Sequence, residues 1–224
     1  MTDCSDIQIW IPAQGASQRI PEKNFRPFHN DESLLEIAVK KLLKTISPRN
    51  IYVSSDSSKA NDICQDLGVN FISRSDSLLG NTIKQKDLFE HFIQHTPESK
   101  YVGWIQVTDP LFLDYEDFLS YEPQPDEVYI AASEVKKHAF FKGYPINFNF
   151  GDWHPVTQDI EPILIPRWSA FLARRETFAR YKYHFGKYNK FFISNDEFVD
   201  IDYESDFKLA QQLYEARIIN DIPI

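Results

Sequence analysis

The fold is decided by the segment IQIWIPA, which covers residues 7–13. Its β-branched and aromatic residues, closed by a proline, predict a buried strand that leads into a loop. Helices are then predicted at residues 33–43, 58–67, 82–94 and 115–121, and strands at 51–55, 69–73, 101–107 and 129–133. This alternation predicts an α/β fold with a mostly parallel, Rossmann-like sheet and helices on both faces. Ligands of such sheets bind beyond the carboxyl ends of the strands.

The stretch from residue 134 to residue 163 breaks the alternation, because it holds six aromatic residues interspersed with polar ones. We interpret it as a small antiparallel excursion, an inserted arm of a single domain spanning residues 1–224, and as a candidate dimer contact. After it the chain is predicted to return to the sheet at 170–175, followed by a strand at 190–194 and a helix at 205–216.

The composition excludes several classes of protein. The formal net charge of the 224 residues is −9, which argues against a general nucleic-acid binder, since such proteins neutralise phosphates with a basic face. No stretch approaches the ~18 apolar residues of a membrane helix. The two cysteines, Cys4 and Cys64, are too few for a disulfide framework or a Cys-based zinc site. We therefore expect a cytoplasmic protein that binds neither nucleic acid nor membranes.

The loop after the first strand carries candidate phosphate-binding groups. Residues 11–24 read IPAQGASQRIPEKN, with a turn at Gly15 and two cations, Arg19 and Lys23, four residues apart. Backbone N–H groups of such a loop can surround phosphate oxygens while the cations balance their charge. The segment is neither a Walker-type loop nor a Gly-x-Gly-x-x-Gly dinucleotide motif. A solvated surface loop would account for the charges equally well.

The same segment resembles the opening motif of the acylneuraminate cytidylyltransferase family, IPARGGSKRIPxKN. Three later segments are similar to family motifs in the same order: VSSDS at 53–57, QVTDPL at 106–111, where the family has QPTSPL, and DID at 200–202, followed by Asp206 and Phe207. Arg74 also stands where family members carry an arginine. Ordered matches of this kind are more specific than any single one.

The resemblance implies a nucleotidyltransferase that moves CMP from CTP to an acidic sugar of the nonulosonic type and releases pyrophosphate. It further implies a Mg²⁺ cofactor and a homodimer. The implied catalytic residues are Lys23, Arg19 and Asp202, and the implied metal ligands are Asp200 and Asp202. The implied nucleotide-binding residues are Ala13, Gln14, Gly15, Lys23, Asn24, Arg74 and Thr82, and the implied sugar-binding residues are Gln106 and Arg167.

The two acids of the DID segment carry a geometric condition. Alternate residues of a flat strand point to opposite faces, so Asp200 and Asp202 reach one cation only if the backbone turns there. Helix-capping or turn acids are the alternative interpretation.

Departures from the family pattern keep further alternatives open. Gln14 replaces an arginine of the family, Ala16 a glycine and Gln18 a lysine. Residues 165–168 read IPRW, where the family has the segment RPNG, which lines the sugar pocket. Arg167 is either a shifted carboxylate-binding cation or a surface residue. A non-catalytic nucleotide-binding relative, or transfer to a different acceptor, therefore remains open.

Another candidate is the histidine pair His91 and His95, at helical spacing. We interpret it as two exposed polar residues, since the first histidine is not followed by the glutamate that a zinc-protease motif requires.

Overall fold

The computed structural model describes residues 6–15, 17, 19–80, 83–149, 151–153 and 155–219. The strands in these ranges are β1 Ile7–Pro12, β2 Pro27–His29, β3 Glu32–Ser33, β4 Ile51–Ser55, β5 Asn70–Ser73, β6 Tyr101–Ile105, β7 Glu127–Val135, β8 Phe140–Phe141, β9 Tyr144–Pro145, β10 Ile163–Arg174 and β11 Tyr188–Ile193. The α-helices are α1 Leu34–Leu42, α2 Ser58–Leu67, α3 Gln85–His95, α4 Tyr115–Leu119, α5 Arg175–Tyr181 and α6 Glu204–Ile219. None of the described helices has the length and apolar character needed to cross a bilayer.

The central sheet has seven strands in the order β11-β7-β10-β6-β1-β4-β5. Strand β10 is antiparallel to both of its neighbours. The remaining neighbours pair in parallel. The predicted mostly parallel α/β sheet is therefore confirmed. The carboxyl ends of β1, β4, β5 and β6 lie at one edge, where ligands of such sheets bind.

Strand β1 shows why both faces of the sheet are covered. Successive side chains of a strand point to opposite faces, and here Ile7, Ile9 and Ile11 enter one buried cluster while Trp10 enters another. Helices α1, α2, α4 and α6 pack on the isoleucine side. Helices α3 and α5 pack on the Trp10 side, where Trp10 stacks on Phe92.

Local sequence signals set two helix ends. Ser33 caps α1, since its hydroxyl accepts a hydrogen bond from the backbone of Glu36 while the Glu36 carboxylate accepts one from the backbone of Ser33. Gly68 ends α2 with a φ of 68°, a left-handed conformation that glycine adopts without steric cost.

Three elements differ from the sequence prediction. Strand β10 begins at Ile163, well before residue 170, and helix α5 follows it at once, without the glycine or proline that usually marks a boundary. The hairpin of β2 and β3 lies in a segment predicted as a loop. Its turn residues, Asn30 and Asp31, both have positive φ, as tight hairpin turns require.

The β2–β3 hairpin and the residue before it pack against helix α6, which is distant in the sequence. Arg26, just before the hairpin, pairs with Glu204 through both guanidinium nitrogens and lies 3.7 Å from the ring centroid of Phe207. Phe28 makes edge contacts with Phe207 and Tyr214 of α6. These contacts hold Arg26 and the β2–β3 hairpin against α6.

The segment at 134–163 contains the small antiparallel sheet of β8 and β9. Several of its large apolar side chains are exposed: Phe140, Phe141, Tyr144, Ile146, Trp153 and Val156. The predicted antiparallel excursion is thus present, while its role as a separate arm remains a prediction.

Candidate active site

Two adjoining cavities lie at the carboxyl ends of the strands. The strand-end cavity, of about 300 Å³, is lined among others by Gln14, Lys23, Asn24, Arg74, Gln106 and Thr108. The acidic cavity, of about 260 Å³, is lined by Lys23, Gln106, Thr108, Trp168, Asp200 and Asp202. Because Lys23, Gln106 and Thr108 belong to both walls, a ligand in one cavity lies directly beside a ligand in the other.

Lys23 and Arg19 meet the acids from the far end of the sequence. The Lys23 ammonium donates a hydrogen bond to the carbonyl oxygen of Ile201 at 2.5 Å, and the Arg19 guanidinium pairs with the Asp202 carboxylate at 2.7 Å. Burial lowers the pKa of Lys23, although the charges of Asp202 and Asp200 oppose this shift. The structure thus brings together the cationic loop and the acidic pair.

The backbone turns at Asp200 and Asp202, as a shared cation would require of these two acids. Asp200 and Asp202 lie outside any strand, and both line the acidic cavity. The Ile201 N–H donates to the carbonyl of Thr108 at 3.0 Å, and the N–H groups of Asp202 and Tyr203 donate to the Asp206 carboxylate. These bonds fix the turn. Burial raises the pKa of Asp200, and a hydrogen bond from Thr108 partly offsets that shift.

The donor set suits Mg²⁺. No cluster of three or more His, Cys, Asp or Glu side chains able to hold a metal occurs among the described residues. Mg²⁺ does not require such a cluster, because it keeps several waters and binds through one or two carboxylates together with substrate phosphates. Asp200 and Asp202, beside a cavity large enough for further oxygen donors, fit that pattern.

Asn24 and Arg74 both line the strand-end cavity. The Asn24 amide nitrogen donates to the Gln14 carbonyl at 3.0 Å, whereas its buried Oδ1 has no hydrogen-bond partner within the described residues. Arg74 donates to the backbone and hydroxyl oxygens of Ser54, and burial lowers the pKa of its guanidinium. Asn24 therefore carries a buried acceptor without a partner beside the cavity, and Arg74 adds a nearby positive charge.

Ala13 and Gly15 do not line either described cavity. Their N–H groups donate to the Ser54 carbonyl and to the Asp56 carboxylate, so the expected cradle of free backbone donors is not formed by these two residues. A Cβ on Gly15 would lie 3.2 Å from Asp56 Oδ2, so this close approach favours glycine. Thr82, like Ala16 and Gln18, lies outside the described residues.

Both sequence-based interpretations of Arg167, as a carboxylate-binding cation and as a surface residue, are wrong, because its side chain has no exposed surface. Its guanidinium pairs with both carboxylate oxygens of Asp109 and donates to the carbonyls of Asp196 and Glu197. It therefore neither reaches a sugar carboxylate nor lies on the surface. It ties the loop after β6 to the segment that leads to Asp200.

The prediction that His91 and His95 are both exposed is wrong for His91, which is buried at 6% exposure, whereas His95 is exposed. Burial, aided by the charges of His95 and Arg74, lowers the pKa of His91 to about 4, so this imidazole is neutral near pH 7.

Three residues at this site were not expected from the sequence. Thr108 bonds to Asp200, Asp56 holds Gly15, and Trp168 lines the acidic cavity. Thr108 and Asp56 lie within segments that resemble family motifs, so the same resemblance could have indicated both residues. Trp168 lies in the segment that departs from the family, and no pattern in the sequence indicates its orientation.

Comparisons with known proteins agree with this architecture. A family model described as cytidylyltransferase matches residues 9–119. N-acylneuraminate cytidylyltransferases of Streptococcus agalactiae, from serotype III strain NEM316 and a serotype Ia strain, are each 26% identical over 214 residues, covering 88% of this chain and 50% of the relative. The chain thus spans about half the length of the curated relatives it matches.

Solved structures share the fold at low sequence identity. The CMP:2-keto-3-deoxy-manno-octonic acid synthetase complexed with CTP superimposes with a TM-score of 0.57 at 16% identity, over 97% of this chain and 86% of that one. The 4-diphosphocytidyl-2C-methyl-D-erythritol synthase of Anaerococcus prevotii gives 0.65 at 14%, over 95% and 97%. The matched family model and the 26% identity to N-acylneuraminate cytidylyltransferases together support this chain as a divergent member of the cytidylyltransferase family.

Proposed function

We propose that this chain transfers CMP from CTP to an acidic sugar of the nonulosonic type and releases pyrophosphate. The observation that carries the proposal is the meeting of Lys23 and Arg19 with Asp200 and Asp202 where the two cavities adjoin. The strand-end cavity takes the nucleotide and the acidic cavity takes the acceptor. The N-acylneuraminate cytidylyltransferases among the relatives support the class of acceptor.

The chemistry is a displacement at phosphorus. The acceptor hydroxyl attacks the α-phosphorus of CTP and loses its proton to solvent, a new oxygen–phosphorus bond forms, and the bond to the pyrophosphate oxygen breaks. Such transfers require mainly positioning and charge neutralisation from the protein. Lys23 lies on both cavity walls, so its ammonium balances charge on the triphosphate beside the acceptor. Asn24 and Arg74 help to hold the nucleotide, and Gln106 contacts the sugar.

Mg²⁺ would be held by Asp200 and Asp202, where it would neutralise phosphate charge when bound. Arg19, which is half exposed, is free to exchange its pair with Asp202 for a phosphate oxygen. Thr108 and Asp206 keep the acidic turn in place for this task.

The direct test combines binding with turnover. Calorimetry with CTP and Mg²⁺ should show one site per chain, and N-acetylneuraminic acid or 2-keto-3-deoxy-manno-octonic acid should then stimulate pyrophosphate release. Absence of CTP binding would overturn the proposal. CTP binding without turnover of either acid would instead favour a non-catalytic relative or a different acceptor.

Metal removal gives a separate prediction. Chelation with EDTA should abolish pyrophosphate release, and added Mg²⁺ should restore it. Asp200→Asn and Asp202→Asn should each raise the Mg²⁺ concentration for half-maximal rate by about tenfold or more, because each removes one of two carboxylate ligands. Asp66→Asn, an exposed acid on α2, is the matched control and should leave the Mg²⁺ dependence unchanged. Equal Mg²⁺ dependence in all three variants would contradict the assignment.

We also propose a homodimer formed through the 134–163 segment. Exposed apolar clusters of this kind mark protein–protein interfaces, and Tyr144 and Trp153 are 75% and 74% exposed. Sedimentation should give a dimer for the unsubstituted chain and a monomer for Phe141→Ser/Trp153→Ser. Leu209→Ser, at an exposed leucine of α6, is the control and should remain dimeric. A monomeric unsubstituted chain at tens of micromolar would refute the proposal.

A further inference from the structure

Trp168 has an unusual backbone conformation for its position. Its φ is 61°, in the left-handed region that bulky side chains rarely adopt. The other described non-glycine residues with positive φ lie in turns or at the end of a helix, whereas Trp168 lies within strand β10. The register of β10 against β7 is interrupted around it, between Pro166 and Phe171. Such outliers persist where the surrounding structure enforces them, and they concentrate at functional sites.

The residues on either side enforce this conformation. The preceding residue, Arg167, is fixed by its fully buried pair with Asp109 and by the carbonyls of Asp196 and Glu197. On the other side, the carbonyl of Ser169 accepts a hydrogen bond from the N–H of Gln106 at 2.9 Å. The backbone of Trp168 is therefore held between the acidic segment and the loop that carries Gln106.

Trp168 lies in the wall of the acidic cavity. The ring is half-buried and packs on Phe171, His184 and Phe185 at centroid distances of 5.5, 5.5 and 5.9 Å. Trp168 also lines the acidic cavity, together with Gln106, Asp200 and Asp202. The packing gives the ring a fixed orientation, so a ligand meets a preformed aromatic surface.

We propose that Trp168 is an acceptor-binding residue, against whose indole the apolar C–H face of a sugar ring packs. The inference rests on the proposed function and refines it, since it identifies the acceptor as a cyclic sugar and names a contact for the ring. A sugar ring combines an apolar face with hydroxyl groups along its edge. Ligand sites commonly join an aromatic wall to a few placed polar groups, which here are Gln106 and the two acids. A linear phosphorylated alcohol has no comparable face.

The test separates acceptor binding from nucleotide binding. Trp168→Gly keeps a residue that adopts positive φ readily, so the fold should persist. Trp168→Phe keeps an aromatic ring. The glycine variant should raise the KM for N-acetylneuraminic acid or 2-keto-3-deoxy-manno-octonic acid about tenfold or more, while the phenylalanine variant should stay within about threefold. The KM for CTP should change by less than about twofold in both. Thermal unfolding of the glycine variant verifies that it folds.

A binding measurement makes the test independent of turnover. Saturation-transfer NMR, with irradiation of aromatic protons, should transfer signal to the ring protons of these two acids in the unsubstituted chain and in Trp168→Phe, but not in Trp168→Gly. Equal transfer or an equal acceptor KM in the folded glycine variant overturns the inference while leaving the proposed function intact. Failure of both acids to bind the unsubstituted chain also overturns it. If the unsubstituted chain does not bind CTP, that separate result refutes the proposed function.

Discussion

Replacement of Lys23 by alanine should lower kcat for nucleotidyl transfer by about 10²–10³-fold, the usual cost of removing one preorganised group that stabilises transition-state charge. Lys23 lies on the walls of both cavities and is held by the carbonyl of Ile201. Its ammonium therefore has a fixed position where the two cavities adjoin, which in the proposed reaction is beside the phosphorus that is attacked. The measurement is steady-state pyrophosphate release at saturating CTP and acceptor.

Two variants control this experiment. Lys23→Arg keeps the charge but not its compact position, so it should recover only part of the lost rate. Lys187→Ala removes an exposed lysine next to the amino end of β11, away from the carboxyl ends of the parallel strands, and should leave kcat unchanged. A Lys23→Ala enzyme with the kcat of the unsubstituted chain would refute the assigned role.

The second large effect is on stability. Arg167→Met should lower the free energy of unfolding by about 3–5 kcal/mol, because it leaves the Asp109 carboxylate buried without its partner. The carbonyls of Asp196 and Glu197 would lose their donors as well. Urea unfolding followed by circular dichroism measures the change. The double variant Arg167→Met/Asp109→Asn should cost less than the sum of the single ones, since no charge is left buried.

Arg180 offers the matched control for this prediction. Its pair with Asp126 is similar in length, at 2.6 Å, but the arginine side chain is 64% exposed. Arg180→Met should therefore cost at most about 1 kcal/mol. Equal losses for Arg167→Met and Arg180→Met would show that the buried pair has no special importance for stability.

The strands and helices were largely predictable because their signals are local. The run at Ile7–Pro12 needs only its own residues to indicate a buried strand, and Gly68 ends α2 at the expected place. Helix α5 was missed because no turn residue separates it from β10, and β10 was predicted only from residue 170 onward. The antiparallel direction of β10 depends on pairing with β6 and β7, which no local pattern encodes.

The candidate site was predictable only where motifs carried it. Lys23, Asn24, Arg74, Gln106, Asp200 and Asp202 line the two cavities, and each lies in a segment that resembles the family. Arg167 was misplaced because its partner, Asp109, is 58 residues away and makes a buried pair that charge alone does not reveal. The orientation of Trp168 likewise follows from a backbone angle that a sequence does not display.

The docking of the β2–β3 hairpin on α6 has a consequence for synthesis on the ribosome. The chain emerges from its amino end, so β1 and the cationic loop appear long before the acidic turn and α6, which contact them from 178 to 183 positions later. Until Phe207 and Tyr214 are translated, Phe28 lacks the rings it contacts in the finished protein. The cationic loop and the β2–β3 hairpin therefore lack these partners until the acidic turn and α6 have been synthesised, and a chain terminated before α6 should expose aromatic surface to chaperones.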